Sequence, residues 1–194
     1  MRTTGHKVLI TGGTRGIGLA IAERFAAEGN DIVVVGSSES SVSRVLEKHP
    51  EWSGRACDLA DRQARADLLA WVAESHSDLS VFINNAGVQD DDAITRGDVS
   101  AMEREIGINV DAVVHLCQGM VAVLELRDEA ALVNVSSGLA IAPKASALTA
   151  EQLADELWRG WQADRYYIPA GQTRLLEMVN RLSPSLARRI MKTK

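Results

Sequence analysis

A glycine-rich segment, residues 8–18 with the sequence VLITGGTRGIG, contains the residue types that can hold a phosphate group. Its apolar start predicts a strand buried on both faces of a parallel sheet, and apolar residues at helical spacing beyond the glycines predict a helix that Gly29 ends. A strand, a glycine turn and a helix N-terminus direct free N–H groups and the positive end of the helix dipole toward one point, where a diphosphate fits. The alternative is a turn that uses glycine only for its backbone freedom.

The end of the second predicted strand, residues 31–35, indicates which nucleotide is bound. In dinucleotide-binding folds an Asp or Glu about 20 residues beyond the glycines binds a ribose 2′-hydroxyl, whereas a 2′-phosphate requires a nearby cation and no carboxylate. Gly36 stands at the position of the acid, and Arg15 offers a cation. Ser37 and Ser38 can donate hydrogen bonds, so we expect NADP rather than NAD. Alternatively, Arg15 is a solvated loop residue and the two serines cap the following helix.

Two further predicted strands end in polar or small residues at the same edge of the sheet. Residues 55–59 form the third predicted strand, with Asp58 near its end, and residues 81–87 form the fourth, which ends in the tetrapeptide NNAG. Asparagine amides can tie adjacent strand ends together, while the alanine and glycine let a ligand lie close to the backbone. Asp58 could instead be an ordinary loop acid or cap the helix that follows.

A long apolar helix and a fifth strand complete the predicted sheet. The helix is predicted over about residues 99–126 with an interruption at 107–109, and Asn109 lies on its otherwise apolar face. Such an amide is ordinarily satisfied by nearby backbone groups. The fifth strand, residues 131–135, is followed by Ser137, which faces the carboxyl edge of a parallel sheet, where ligands bind.

The spacing Thr11-Gly12-x-x-x-Gly16-x-Gly18, together with the NNAG tetrapeptide, resembles the short-chain dehydrogenase/reductase superfamily. The resemblance implies an α/β fold, a Rossmann-like doubly wound parallel sheet with helices on both faces. It also implies hydride transfer between a nicotinamide cofactor and a small-molecule carbonyl or alcohol substrate. The residues that it assigns to cofactor binding are Gly12, Thr14, Arg15, Gly16, Ile17, Gly18, Ser37, Asp58, Leu59, Asn85, Ala86 and Gly87.

The same resemblance implies specific roles for three polar residues. Asp58 matches an acid that contacts the adenine amino group. Asn109 matches an asparagine that kinks its helix and holds a water molecule in a proton relay. Ser137 matches a serine that hydrogen-bonds the substrate oxygen. Asn109 and Ser137 are therefore the candidate catalytic residues.

The resemblance breaks where the family requires a tyrosine and, four residues later, a lysine. Ala150 and Ala154 stand at those positions, and alanine has no ionisable atom with which to move a proton. Tyr166 and Tyr167 are the only tyrosines, and an alanine and a glycine follow four residues beyond them. We therefore expect an oxidoreductase fold that is impaired or inactive as given. The alternatives are a nucleotide-binding pseudoenzyme, an internal-deletion product, and a sequence from which a segment has been omitted.

The 194 residues are predicted to form one domain with two parts. Residues 1–143 are the cofactor-binding core, and residues 149–194 are a tail shortened by about one helix–strand unit, which occupies about 30 or more residues. The tail is predicted to contain a helix at 149–162, a strand at 165–168 and a helix at 173–182. The first of these helices could act as a crossover that brings the strand to the vacant edge beside the fifth strand.

Composition and charge exclude several classes of protein. With 46% hydrophobic and 24% charged residues and a net charge of −5, the chain has no general attraction for nucleic acid or an anionic membrane. The apolar stretch at 110–126 is interrupted by polar residues, and the N-terminus has no apolar signal region, so a cytoplasmic protein outside the membrane is expected. The four histidines have no metal-ligand spacing, which predicts that there is no metal site.

Two further expectations concern the cysteines and the long helix. Cys57 and Cys117 have mostly apolar neighbours and are expected to be buried free thiols within regular elements. One face of the long helix could form a homo-oligomer, although packing in the core is the equally simple alternative. That face carries Val113, Val114, Cys117, Val121 and Leu124.

Overall fold

The computed structural model describes residues 1–90, 92–136 and 148–171. The described strands are β1 (Lys7–Thr11), β2 (Asp31–Gly36), β3 (Ser53–Ala56), β4 (Val81–Asn84) and β5 (Ala131–Asn134). The described helices are α1 (Gly16–Ala26), α2 (Glu39–Lys48), α3 (Arg62–Ser75), α4 (Ala93–Arg96), α5 (Val99–Ile106), a π-helical turn (Gly107–Asp111), α6 (Ala112–Leu124) and α7 (Ala150–Gln162).

The described strands form a parallel sheet in the order β3-β2-β1-β4-β5. The central strand β1 pairs on both sides, with Val8 opposite Ile32 of β2 and opposite Val81 of β4. Its apolar side chains are fully buried because helices cover both faces of the sheet. The predicted doubly wound α/β fold is therefore confirmed.

The two faces of the sheet carry separate apolar cores. On one face, side chains of β1 and β2 pack with α1, α2 and α7, as Phe25, Val45 and Trp158 illustrate. On the other face, Leu68 of α3 and Met120 of α6 pack against the remaining strand residues. The sheet thus separates the α1, α2 and α7 face from the α3 and α6 face.

Two predicted strands end earlier than expected. β3 stops at Ala56, so residues 57–59 lie beyond it, and β4 stops at Asn84 rather than running to residue 87. The last register pair of β3 is Gly36 with Ala56, at the final residue of β2. Beyond one more hydrogen bond, from the amide of Cys57 to the carbonyl of Gly36, the chain turns into α3 because its partner strand has ended.

The long helix is interrupted at the predicted place. The π-helical turn Gly107–Asp111 joins α5 to α6 and contains Asn109. In the described part of the chain, one helical stretch, Val99–Leu124, is long and apolar enough to cross a membrane, with a mean hydropathy of 1.5. Length and composition alone do not establish a membrane span, because core helices of soluble proteins meet the same criteria.

One side of this stretch is buried and the other is open. Leu116 and Met120 pack in the core, and so does Leu124, which was predicted on the free face. Val114 is 65% exposed and Val121 is exposed as well. The core-packing alternative therefore holds for Leu124, while the two valines remain on the surface.

The predicted helix at 149–162 is confirmed as α7. Thr149 is its N-cap, and Thr149 and Gln152 form a capping box in which each side chain accepts a hydrogen bond from the other residue's backbone amide. The helix packs on α1, where the Phe25 and Trp158 ring centroids are 4.9 Å apart.

The predicted strand at 165–168 is wrong, and so is the crossover that would have led to it. No strand is assigned there, and Tyr166 is fully exposed. The chain reverses after α7 at Asp164, whose φ is 50°, and Ile168 lies against Gly160 of the same helix. A right-handed crossover from β5 to the outer edge must pass over the face that carries α6, whereas α7 covers the α1 face. The helix predicted at 173–182 lies outside the described residues.

Candidate functional site

Thr11, the last residue of β1, ties the carboxyl ends of two strands together. Its hydroxyl donates a hydrogen bond to Asn84 Oδ1 at 3.2 Å and accepts from the backbone amides of Asn85 and Ala86 at 3.0 and 3.1 Å. Asn85 Nδ2 in turn donates to the Thr11 carbonyl at 3.0 Å. The predicted role of the NNAG asparagines, joining adjacent strand ends, agrees with these contacts. Sequence reasoning missed the Thr11 hydroxyl, although a polar residue at the end of a buried strand is a usable signal.

Glycine is required at two positions of the turn because other backbone lies against it. Gly12 has a φ of 66°, and a Cβ there would lie 3.0 Å from the Cα of Ala86. A Cβ at Gly18 would overlap the carbonyl oxygen of Gly12 and lie 2.5 Å from Asn85 Nδ2. The structure thus brings Gly12, Gly18, Asn85 and Ala86 together at the carboxyl ends of β1 and β4.

The N-terminus of α1 lacks the side-chain cap that four of the other helices have; α6 also lacks one, but it continues directly from the π-helical turn. Ser38, Asp61, Asp98 and Thr149 cap α2, α3, α5 and α7 with their side chains, respectively. Arg15 at the N-cap of α1 makes no side-chain cap hydrogen bond. Arg15 and its neighbours Gly16 and Ile17 are exposed, and Thr14 is half-buried. The first turn of α1 therefore presents backbone amides that no capping side chain satisfies, which is the arrangement that binds an anion.

At the end of β2, the cap alternative proves correct for one of the two serines. Ser38 Oγ accepts the amide of Ser41 at 3.3 Å as the N-cap of α2, whereas Ser37 is exposed beside it. A Cβ at Gly36 would lie 2.7 Å from both Thr14 Cγ2 and Ser41 Oγ. A carboxylate side chain at Gly36, of the kind that binds a ribose 2′-hydroxyl in related folds, would therefore require Thr14 and Ser41 to move.

Asp58 lies just beyond β3 and is held by Arg104 of α5. The guanidinium donates two hydrogen bonds, from Nη1 to Oδ2 at 3.0 Å and from Nη2 to Oδ1 at 2.9 Å. Asp58 Oδ1 also accepts the amide of Ala60 at 3.1 Å. These bonds, chiefly those from Arg104, hold the pKa of the Asp58 carboxyl below its usual range despite partial burial. Asp58 does not cap α3, because Asp61 does. Arg104 is the second residue that sequence reasoning missed.

Leu59 follows Asp58 and is buried beneath this segment. Its carbonyl accepts a 2.5 Å hydrogen bond from Nη1 of Arg65, a buried residue of α3. The same guanidinium donates from Nε to Nδ1 of His115 at 3.2 Å. These contacts hold in place the backbone segment next to Asp58.

Asn109 is satisfied by the backbone of a distant segment. Its Oδ1 accepts the amide of Val88 at 2.9 Å, and its Nδ2 donates to the carbonyl of Val88 at 2.7 Å. The alternative of an amide satisfied by backbone groups therefore holds, although those groups are 21 residues away rather than local. A Cβ on Gly87 would lie 3.4 Å from Asn109 Oδ1, so the π-helical turn and the NNAG loop are in contact. A role for Asn109 in holding a water molecule stays a prediction.

Of the other catalytic candidate and the alanines at the positions of the missing pair, the structure describes only the alanines. Ser137 lies outside the described residues. Ala150 and Ala154 lie on α7, where Ala154 is 3% exposed and both pack into the core shared with α1. That core is on the opposite face of the sheet from α6.

The two cysteines differ in burial. Cys57 is buried just after β3, and burial, reinforced by the nearby charge of Asp58, raises the pKa of its thiol to about 11. Cys117 in α6 is only half-buried, so the prediction of two buried thiols is correct for Cys57 alone. Both are free thiols. Among the described residues, no group of His, Cys, Asp or Glu side chains has the geometry of a metal site.

Comparison with known proteins identifies the class of protein to which this fold and site belong. The model of the short chain dehydrogenase family matches residues 6–149, which is most of the chain. The chain belongs to that family, and the resemblance carried by the glycine turn and the NNAG tetrapeptide is confirmed. Its relatives are oxidoreductases, as the following comparisons illustrate.

Among curated proteins, the chain is 37% identical over 147 residues to the uncharacterized oxidoreductase DltE of Bacillus subtilis (strain 168), covering 75% of this chain and 58% of that protein. It is 30% identical over 139 residues to meso-2,3-butanediol dehydrogenase of Serratia marcescens, covering 71% of this chain and 55% of the relative. The chain thus spans a little over half the length of these curated relatives.

Solved structures share the fold. A bulky-bulky ketone specific alcohol dehydrogenase from Comamonas testosteroni superposes with a TM-score of 0.76 at 18% identity, covering 98% of this chain and 95% of that one. A 3-oxoacyl (acyl-carrier-protein) reductase from Agrobacterium tumefaciens C58 with NADP bound gives a TM-score of 0.63 at 24% identity, covering 82% of this chain and 62% of that one.

Proposed function

We propose that this chain binds NADP in preference to NAD and that, as it stands, it does not catalyse hydride transfer between a carbonyl and an alcohol. The observation that carries the second part is the position of Ala154, buried between α7 and α1. The chain is one domain, with residues 1–143 as the cofactor-binding core and residues 149–194 as the shortened tail.

The glycine turn fits a dinucleotide diphosphate. Gly12 and Gly18 have no side chains, which allows neighbouring backbone to approach them closely. The helix α1 begins without a capping side chain. Both features favour an anion at the N-terminus of α1. The residues that would hold the cofactor there belong to the turn and to the adjoining NNAG loop, namely Gly12, Thr14, Gly16, Ile17, Gly18, Asn85, Ala86 and Gly87.

The preference for a 2′-phosphate rests on charge and space at the end of β2. Because residue 36 is a glycine, the carboxylate that would repel a phosphate is absent, and a side chain at this position would displace Thr14 and Ser41. Ser37 follows Gly36, and Arg15 follows Thr14, which contacts the position of Gly36. Both Arg15 and Ser37 are exposed and can bind a phosphate oxygen, the first by charge and the second by a hydroxyl hydrogen bond. The NADP bound to the Agrobacterium reductase is consistent with this preference.

The loss of catalysis follows from the groups that could move a proton. When bound, the nicotinamide cofactor supplies the hydride; protonation of the substrate oxygen needs a positioned acid, which typically accelerates such a step by about 10² to 10⁴. Ser137 could donate a hydrogen bond, but no tyrosine and lysine stand four residues apart in this chain. The Asn109 amide is already bonded to Val88. The retained residues would therefore bind and orient ligands without providing the acid.

A second candidate is an active oxidoreductase of which this sequence is one part. The chain covers 58% of the length of its relative DltE, which favours this possibility. The intact mass of the protein isolated from its natural source distinguishes the two candidates. A mass of 20.9 kDa would support the proposed inactive protein, and a larger mass would support the active oxidoreductase.

The remaining functional properties follow from the family and from charge. We infer a cytoplasmic protein that would take a small-molecule carbonyl or alcohol if it were active. With a net charge of −5 it has no general affinity for nucleic acid or anionic lipid. The exposed valines of α6 are a candidate surface for a homo-oligomer.

The cofactor preference is tested by fluorescence titration with NADPH and NADH. We expect tighter binding of NADPH and a specific loss of that advantage in Arg15→Ala. Lys48→Ala removes a cation from the far end of α2 and is the matched control, for which we expect an unchanged ratio. Equal affinities in the wild type, or an unchanged ratio in Arg15→Ala, would contradict the proposal.

A further inference from the structure

The contact between Arg104 and Asp58 joins two segments that are 46 residues apart in sequence. Arg104 lies on α5, and Asp58 lies at the carboxyl edge of the sheet beyond β3. The two hydrogen bonds run in parallel from one planar guanidinium to both carboxylate oxygens, at 3.0 and 2.9 Å. Such a bidentate pair restricts the plane and the rotation of the carboxylate as well as its position.

The hydrogen bonds around Asp58 leave a defined acceptor position free. An ionised carboxylate offers about four lone-pair positions. Arg104 occupies one on each oxygen, and the amide of Ala60 occupies a second on Oδ1. The remaining position is on Oδ2. It suits a single N–H donor and is unfavourable to a second oxygen.

The pair is better explained by orientation than by stability. Both side chains are close to half exposed, 51% for Arg104 and 44% for Asp58, and ion pairs with such exposure contribute little to folding. Two other charged residues near this segment make hydrogen bonds elsewhere, and the guanidinium of Arg55 lies over the Trp71 ring. Arg65 donates to Leu59 and His115, and Asp61 accepts two backbone amides at the start of α3.

We propose that Arg104 is a positioning residue that orients Asp58 so that the free position on Oδ2 accepts the 6-amino group of an adenine nucleotide. This proposal rests on the proposed binding of NADP. It adds that selection of adenine over a base with a 6-oxo group depends on Arg104. A hypoxanthine base at the same place would direct its oxygen at the carboxylate, and the two acceptors would repel each other.

The test compares the affinities of NADPH and of its hypoxanthine analogue by fluorescence titration. The wild type is expected to bind NADPH about tenfold or more tightly than the analogue, as one hydrogen bond to a charged group implies. Arg104→Met retains an unbranched side chain but removes the guanidinium, and it is expected to reduce that ratio at least threefold. Asp58→Ala is expected to reduce it similarly. Arg96→Met removes another exposed arginine with its own carboxylate partner, Asp90, and is expected to leave the ratio unchanged.

The outcomes separate this proposal from the one on which it rests. If the wild type binds neither nucleotide, the proposed function fails. If it binds both and Arg104→Met weakens them equally, Arg104 has only a structural role and the present proposal is overturned. Arg104→Lys retains the charge without the planar guanidinium and is expected to recover less than half of the lost discrimination. Full recovery would show that charge suffices and would overturn the role in orientation.

Discussion

Phe25 of α1 and Trp158 of α7 meet edge to face, with their ring centroids 4.9 Å apart and their planes at 86°. The contact is reinforced by Arg24, whose guanidinium carbon lies 4.9 Å from the Trp158 ring centroid and whose Nε lies 3.2 Å from Asp155. Aromatic pairs of this geometry add to the energy of apolar burial. They hold α7 on the α1 face of the sheet, with Ala154 turned inward.

Restoring the missing residue types on α7 is therefore expected to fail. The double variant Ala150→Tyr, Ala154→Lys should reduce diketones and aromatic aldehydes no faster than the uncatalysed background, because its new side chains would enter the α1–α7 core. A lysine at Ala154 would bury an unpaired ammonium group and lower the free energy of unfolding by roughly 3 kcal/mol or more. Steady-state NADPH oxidation and urea denaturation provide the measurements.

Gln162→Lys is the matched control for that variant, since Gln162 is an exposed residue of the same helix. We expect its stability to change by no more than about 0.5 kcal/mol. Turnover of NADPH by the double variant, on protein whose mass confirms the 20.9 kDa chain, would contradict the assignment of α7 to the α1 face.

Thr11→Val should destabilise the protein by removing the hydroxyl between β1 and β4. The change leaves Asn84 Oδ1 without this donor and two backbone amides without this acceptor, in a place where Thr11 is completely buried. Groups left unpaired on burial cost about 1–3 kcal/mol each, so for these three groups we expect a total loss of roughly 3 kcal/mol or more. Urea denaturation measures it. Thr95→Val, at an exposed threonine, serves as the control, and equal losses in the two variants would refute the role of the Thr11 network.

Gly18→Val should abolish nucleotide binding and lower stability. Its side chain would overlap the Gly12 carbonyl and crowd Asn85, so the turn must open. Overpacking of this kind costs about 1–3 kcal/mol. Binding is followed by NADPH fluorescence and folding by circular dichroism during thermal unfolding. Gly107→Ala is the control, since a Cβ there meets nothing closer than 3.9 Å. Undiminished NADPH binding in the valine variant would place the nucleotide site elsewhere.

Protonation of His76 is expected to make the protein less stable at mildly acidic pH. Burial, and next the charge of Lys7, hold the pKa of His76 below the 6.5 of an ordinary histidine, with Asp78 opposing them. Below pH 6.5 the unfolded chain therefore binds a proton that the folded chain does not. The stability that neutral His76 contributes is present above pH 6.5 and is lost as the pH falls through its folded pKa.

The effect of His76 is measured by urea denaturation at pH 8 and pH 5.5 in the wild type and in His76→Gln. We expect the wild type to lose more stability between the two pH values, because the variant lacks the group that takes up the proton. An identical pH dependence would show that His76 does not titrate differently on folding.

The fold of the N-terminal part of the chain was predictable from the sequence, because its signals are local. The glycine turn, the run of buried residues in β1 and the NNAG tetrapeptide each depend on neighbours in the chain, and they led to the correct fold and family. The interruption of the long helix was also visible, since glycine and asparagine in an apolar run disturb regular hydrogen bonding. The capping box of α7 is also a local signal, because it is formed within four consecutive residues.

Where those local elements meet depends on contacts between distant segments, which no local pattern reveals. β3 ends at Ala56 because β2 ends beside it, which no pattern within β3 reveals. Asp58 is oriented by Arg104, and Asn109 is satisfied by Val88, through contacts between distant segments. The sequence predicted the α7 helix but placed it in a crossover from β5 to a further strand, which is wrong. An amphipathic pattern shows that one side of a helix is buried, but it does not show which face of the sheet that side packs against. Trp158 packing on Phe25 settled that choice, and with it the place of the two alanines.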